Sequence, residues 1–335
     1  MTIKDLARET GYSVGTISRV LNGQPNVSER ARKTILACVE KSGFQLNSNA
    51  KQLRQTRGDG ILAVVSGRQN ELFAQMIEHI QRLLADTQYP LTVDYVDEYE
   101  DAVQYALHRS REQKPLGILF LGGDMQLFAQ SFGEFTVPGV LLTSDASSLG
   151  FENLSSVTTD DIAAAQCAVE FLLSQGHREI GIINGELAYS GISWQRFEGC
   201  RRAFAAHGME LSERRCAVAR YSFAEGYAAA QRLVRSQKLT AIFAMSDVMA
   251  VGAMRGLRDA GLRVPEDISV IGFDGIALGD YYIPKLTTIR QDAEQLARRG
   301  VELMLRAIEQ QQPACHEKVP FSLTCRDSVA RLAPR

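Results

Sequence analysis

The sequence is poor in the features that mark several protein classes. It has one tryptophan, nine prolines and six cysteines in 335 residues. The cysteines, at 38, 167, 200, 216, 315 and 325, form no CxxC pair and no Cys/His spacing. A disulfide scaffold and a metal site are therefore not expected, and buried reduced thiols are. No run reaches the roughly 18 apolar residues that a membrane-spanning helix needs. The opening MTIKDLARETG has no apolar stretch of the signal-peptide kind, so neither a membrane nor export is expected and a cytoplasmic location is. No GxGxxG follows a strand, and GxxxxGK[ST], GxSxG and HExxH do not occur. The five histidines have no partners at catalytic spacing, and His177, in QGHREIGII, reads as a packing or capping residue. These absences exclude the common enzyme classes and give no reason to expect a cofactor. Binding is the better account.

What is present begins with charge. Residues 1–57 hold ten Lys/Arg and four Asp/Glu, a net +6, which leaves −8 for the remainder of a chain whose net charge is −2. A small basic module joined to a larger acidic one points to a polyanion as partner of the first. Length alone asks for two or three domains.

In the first fifty residues, Thr2 and Asp5 form a capping-box-like start to a short helix carrying Ile3, Leu6 and Ala7 inward and stopping near Gly11. Ser13 is a good N-cap for a second helix, VGTISRVL, whose Ile17, Val20 and Leu21 make one face. Val14, Gly15, Ser18 and Arg19 fall opposite. A third helix starts at Ser28 and turns Ala31, Ile35, Cys38 and Val39 inward. Helix, tight turn, helix and a supporting third helix is the helix-turn-helix pattern. The small Val14 and Gly15 allow close approach to base edges, and Arg19 can donate two hydrogen bonds to a guanine. Ser13, Thr16 and Ser18 offer hydroxyls to phosphates.

From residue 60 onward, short apolar runs alternate with helical stretches. Strands are expected at 60–65, 91–96, 117–122, 139–143, 179–184, 241–246 and 268–273, and helices at 70–86, 98–113, 160–175, 194–207, 223–236 and 247–260. This alternation means parallel sheets covered by helices. Seven or more strands suit two doubly wound subdomains with a ligand cleft at the carboxyl ends of the strands. Asp274 ends the apolar run ISVIGF, where a carboxylate can accept two adjacent hydroxyls. Ser246 and Asp247 stand where a strand passes into a helix. Asp247 reads as a cap, leaving Ser246 as the ligand candidate.

The stretch TIKDLARETGYSVGTISRVLNGQPNVSE strongly resembles the DNA-binding headpiece of the lac-repressor/galactose-repressor family. SDVMAVGAMRGLRDAGLRVPEDISVIGFD and YIPKLTTIRQD resemble that family's regulatory core. The resemblance implies an all-α helix-turn-helix headpiece (1–46), a hinge or linker (47–58) and an α/β core (59–335). The core would have two doubly wound parallel-sheet subdomains like those of periplasmic sugar-binding proteins, at about 59–159 with 289–318 and about 160–288 with 319–330, the chain crossing between them three times. It further implies ligand contacts from Gln69, Asn70, Phe73, Arg196, Tyr221 and Gln291, and a ligand-responsive regulator, most often a repressor, of a carbohydrate-use operon.

The implied partners are pseudo-palindromic operator DNA, a small sugar or sugar phosphate that releases it, and a second copy of the chain. After RDSVARLAPR no leucine heptad follows, so a homodimer without a tetramerisation tail is expected. Departures at Asn70–Phe73, Gly139 and Thr143 suggest a ligand unlike that of the familiar members. A nucleobase or nucleoside between Tyr221 and Phe73, acting as co-repressor, is the alternative.

In the hinge NSNAKQLRQTRG, Leu53 stands alone among charges. In relatives the matching leucine wedges into the minor groove from a helix that forms on DNA. Asn47 and Asn49 would cap that helix, Ala50 would sit against the groove floor, and Lys51 and Arg54 would reach phosphates. Leu46 replaces the usual proline.

Overall fold

The computed structural model describes residues 3–21, 27–42, 60–68, 70–187 and 191–332. It divides into two compact units, Met1–Arg57 and Gly58–Arg335.

The first unit is built on α1 (Ile3–Thr10), α2 (Val14–Leu21) and α3 (Glu29–Ser42). Helix α1 ends at Gly11, whose φ of +72 is left-handed and whose N–H donates to the Ala7 carbonyl at 3.0 Å. Two residues later Ser13 caps α2, its Oγ accepting from the Thr16 N–H at 3.1 Å. Ser28 caps α3 in the same way, through the Ala31 N–H at 3.4 Å. Leu6, Ile17 and Ile35 are wholly buried and Val20 nearly so, with Ala7, Tyr12, Val27, Cys38 and Val39 packed around them. Each large apolar side chain in that cluster contributes roughly 1.5–3 kcal/mol of burial. Among the described residues of this unit no other cluster stands behind it.

The second unit holds two six-stranded sheets. In the N lobe the order is β11 (His316–Val319), β5 (Leu154–Thr159), β4 (Gly139–Leu142), β3 (Gly117–Leu121), β1 (Ile61–Ser66), β2 (Leu91–Val96), with every pairing parallel. In the C lobe it is β12 (Phe321–Thr324), β10 (Thr287–Gln291), β9 (Ser269–Asp274), β8 (Ala241–Ala244), β6 (Ile180–Asn184), β7 (Cys216–Val218), parallel except for β12 against β10.

Strand β1 shows why the N-lobe runs are apolar without alternation. Ile61, Ala63 and Val65 pack with α4 (Glu71–Leu84) and α12 (Ala293–Gln310) on one face. Leu62 and Val64 pack with α5 (Ala102–Gln113) and α6 (Met125–Ser131) on the other. In the C lobe, α7 (Asp161–Ser174) packs on α8 (Gly191–Ala206), and α9 (Phe223–Ser236) on α10 (Asp247–Asp259). The last pair meets backbone to backbone: a Cβ on Gly252 would collide with the Phe223 carbonyl, and one on Gly226 with that of Met249.

The chain passes between the lobes three times, from β5 into α7, from β10 into α12 and from β11 into β12. Strands β5, β7, β10, β11 and β12 and helices α6, α12 and α11 (Leu278–Tyr281) add to the expected elements. Strands β5 and β10 escape a hydropathy reading because they are rich in hydroxyls that are buried in the fold. Ser155, Ser156, Thr158, Thr159, Thr287 and Thr288 are all buried.

Candidate functional site

On the headpiece, the face of α2 opposite Ile17 and Val20 is open. Val14 is 42% exposed, and Gly15 and Arg19 are exposed with it. A Cβ on Gly15 would approach only the Ser13 hydroxyl, so the start of the helix presents little bulk. Ser13 and Thr16 share a hydroxyl hydrogen bond of 2.9 Å at the same end. Val14, Gly15 and Arg19 thus lie on the exposed side of α2, with Ser13 and Thr16 at its start. The side chain of Ser18, all of Asn47, Asn49, Ala50, Lys51, Leu53 and Arg54, and Gln69 lie outside the described residues.

In the second unit, a cleft of about 520 Å³ opens between the lobes at the carboxyl ends of their strands. Asn70, Phe73, Arg196, Tyr221, Asp274 and Gln291 all line it. Ser246 does not. Its Oγ accepts from the Met249 N–H at 3.3 Å, making it the buried N-cap of α10. Ser246 thus takes the capping role expected of Asp247, and neither lines the cleft: Asp247 turns toward the segment after β9 and toward β10 rather than capping α10. Its carboxylate accepts from the Gly275 and Ile276 N–H groups at 2.7 and 2.8 Å and from the Thr288 hydroxyl at 2.6 Å. It thereby fixes the turn that follows Asp274.

Asp274 itself has φ +119, a conformation rare for any residue with a Cβ. A strained non-glycine backbone of this kind persists only where its surroundings over-determine it. Here the Asp247 bonds do so, and the Gln291 Nε2 donates to Asp274 Oδ1 at 2.9 Å. Arg196 stands beside the pair, Nη1 3.8 Å from Asp274 Oδ1. Its Nε donates to Asp161 Oδ1 at 2.7 Å, Nη1 donates to the Met245 carbonyl, and its guanidinium carbon lies 3.7 Å from the centre of the Phe273 ring. Burial pushes the Asp274 carboxyl up to about 6, against the pull of Arg196 and the Gln291 hydrogen bond. Arginine and two carboxylates make a rigid, orienting floor rather than a proton-transfer pair.

The aromatic residues frame this floor. Tyr221 donates or accepts at 2.8 Å with the Ser193 hydroxyl, and Phe73 follows the N-cap Asn70, whose Oδ1 accepts from the Phe73 N–H at 3.2 Å. His177, outside the cleft, is buried between the Thr240 hydroxyl at 3.1 Å and the Ala330 carbonyl at 3.0 Å, a packing residue as its context suggests.

Several lining groups were not named as ligand contacts from the sequence. Ser66 ends β1, and Thr143, with φ +73, follows β4. Both hydroxyls are buried and have no hydrogen-bond partner among the described residues. Ser66 closes an apolar run just as Asp274 does, so the same signal was available for it. At the mouth, Arg220 of the C lobe donates from Nη2 to Asp97 Oδ1 at 2.6 Å and from Nε to Glu98 Oε1 at 2.7 Å, both in the N lobe. No local pattern announces a pair 123 residues apart.

Known proteins resemble the chain in both units. Residues 2–47 match the family model for bacterial regulatory proteins of the lacI family, and residues 169–329 that for a periplasmic binding protein-like domain. The HTH-type transcriptional regulator MalR of Clostridium butyricum is 32% identical over 334 residues, 98% of this chain and 99% of the relative. Among solved structures, the lac repressor dimer bound to operator and an anti-inducer superposes with a TM-score of 0.81 at 26% identity, over 98% of this chain and 99% of that one. The transcriptional regulator CelR in complex with cellobiose superposes with a TM-score of 0.70 at 25% identity, over the same shares.

Proposed function

The chain belongs to the lacI family of bacterial regulatory proteins, and from that premise we propose that it is a repressor of a carbohydrate-use operon, released from its operator by a saccharide, free or phosphorylated. It is a DNA-binding transcriptional regulator and not an enzyme. The observation that carries the proposal is the Asp274–Arg196–Gln291 floor of the interlobe cleft. A carboxylate held between a guanidinium and an amide presents acceptors and donors at the spacing of vicinal hydroxyls. Phe73 and Tyr221 supply the apolar walls on which a sugar ring lies. CelR, solved in complex with cellobiose, supports the same class of ligand.

The operator is read by Val14, Gly15 and Arg19 in the major groove, with Ser13, Thr16 and Ser18 on phosphates. The hinge residues Asn47, Asn49, Ala50 and Leu53 enter the minor groove, and Lys51 and Arg54 hold its phosphates. Two headpieces on a pseudo-palindrome require a homodimer. Tyr281 and Ile283, 84% and 85% exposed on neighbouring positions of the C lobe, are apolar surface that suits such a contact. Saccharide binding closes the lobes, and the change reaches the hinge through β1, which starts three residues beyond it. Coupling of this kind usually amounts to about 1–3 kcal/mol. The regulator works in the cytoplasm, on the nucleoid when bound to DNA.

A thermal-shift screen of sugars, sugar phosphates and nucleosides, followed by gel shift on a selected palindrome, tests the proposal. A saccharide should raise the melting temperature and weaken the DNA complex. A nucleoside that did so instead, or a protein that selected no palindrome, would overturn it.

A further inference from the structure

The charges on the cleft walls narrow the ligand further, an inference that rests on the saccharide reading above. Among the described residues, three arginines line the cleft: Arg68, Arg196 and Arg220. Two of them are already occupied. Arg196 is buried against Asp161, Asp274 and the Met245 carbonyl. Arg220 is held by Asp97 and Glu98, with its guanidinium 4.6 Å from the centre of the Tyr99 ring.

Six carboxylates line the same space, those of Asp97, Glu98, Asp124, Glu186, Glu225 and Asp274, twice the number of arginines. Helix N termini ordinarily draw anions, and α4 and α9 both open on the cleft. One N–H of each is capped, however, that of Phe73 by the Asn70 side chain and that of Glu225 by the Ser222 hydroxyl, and Glu71 and Glu225 put a carboxylate in each first turn. Arg68, the third arginine, is exposed and acts electrostatically on Asp97, and the buried groups of the cleft left unmatched among the described residues are neutral. The Ser66 and Thr143 hydroxyls, buried and without partners among the described residues, can each donate to or accept from an uncharged hydroxyl.

We infer that the cleft selects uncharged saccharides over their phosphorylated and carboxylated forms, and that the clasp of Arg220 on Asp97 and Glu98 enforces the selection. Asp97 and Glu98 follow β2 in the N lobe, and Arg220 follows β7 in the C lobe, so the clasp spans the mouth. An anionic group entering there must draw Arg220 off two carboxylates and then lie beside them. A neutral hydroxyl leaves the clasp intact, and the lobes close over it. Removing the two carboxylates turns Arg220 from a clasp into a free guanidinium facing the cleft.

The test uses the full-length protein and three anionic probes: inorganic phosphate, glucose 6-phosphate and glucuronate. Thermal shift and calorimetric titration are run on the wild type, D97N/E98Q and D97N/E98Q/R220Q. None of these anions should stabilise the wild type measurably. The double variant should bind inorganic phosphate at least tenfold tighter than the wild type, and the triple variant should lose that gain. Anion binding by the wild type would overturn the inference, and so would equal responses from all three proteins. A parallel panel of neutral mono- and disaccharides separates the two claims. If no neutral saccharide binds, the saccharide reading falls, while the exclusion of anions stands or falls on the phosphate result.

Discussion

Replacing Asp274 by asparagine should make the protein more stable and deaf to its effector. The carboxyl is buried, and burial raises its pKa from the ordinary 3.8 to about 6 even with Arg196 nearby. The folded protein therefore holds a proton that the unfolded chain releases between those two values. Where the folded state binds more protons, stability falls as pH rises. The loss begins near the unfolded pKa, is complete above the folded one, and amounts to about 3 kcal/mol for a shift of roughly two units. Asparagine has the shape of the neutral acid and cannot ionise, so D274N avoids that cost. Its Oδ1 still accepts from the Gln291 Nε2, and Arg196 keeps Asp161 and the Met245 carbonyl.

Thermal unfolding of the core followed from pH 4 to 8 should show the two proteins alike at the acid end. They should diverge as pH climbs to about 6, and D274N should then be the more stable by roughly 5 °C. Calorimetry at pH 7.5, a condition chosen at roughly one unit above the folded pKa, should show saccharide binding by the wild type alone. A D274N protein less stable than the wild type at neutral pH, or a wild type whose melting temperature does not fall across this window, would refute the assignment of a buried, costly carboxylate. Retained saccharide affinity would remove Asp274 from the site.

Further outcomes follow from the headpiece, the hinge and the helix pair. Arg19→Ala should relax base preference at one position of each half-site by roughly 1–3 kcal/mol in a binding-site selection, whereas a uniform loss over all sequences would make Arg19 a phosphate contact. Leu53→Ala should weaken operator binding and reduce DNA bending in a circular-permutation gel, and an unchanged complex would reduce the linker to a tether. Gly252→Ala should cost about 1–3 kcal/mol in denaturant unfolding, because its new methyl meets the Phe223 carbonyl rather than a movable side chain. Stability equal to the wild type would show that α9 and α10 separate more easily than their contact suggests.

The parts of the molecule visible in the sequence are those whose physics is local. The three headpiece helices announce themselves through Gly11, Ser13 and Ser28, each acting on a backbone group within four residues. Strands such as β1 and β3 read as apolar runs because both faces are covered. Strand β5 does not, since it carries four buried hydroxyls, two of them satisfied from far away. Ser155 accepts from the Cys315 N–H at 3.1 Å, and Ser156 lies 2.8 Å from the His316 Nδ1, in each case 160 positions off. In sequence, a hydroxyl so satisfied looks like a loop hydroxyl.

The site shows the same division. Asp274, at the end of an apolar run, was legible. That Ser246 rather than Asp247 caps α10 was not, because it depends on which of two adjacent residues faces β9 once the lobe has packed. The clasp of Arg220 joins loops of different lobes and has no local trace at all.

The triple passage between the lobes also bears on how the protein is made. A ribosome finishes β5 at residue 159, but the strand that flanks it, β11, and the helix α12 that covers its sheet come only after the strands β6 to β10 of the other lobe. At roughly 5–20 residues per second, the wait is on the order of ten to thirty seconds. Through that interval the face carrying Ile61, Leu119 and Leu142 lacks its α12 cover, and the edge of β5 lacks its neighbour. Neither lobe can mature as an independent early product, so the nascent chain carries an apolar surface suited to capture by a chaperone until synthesis is almost complete.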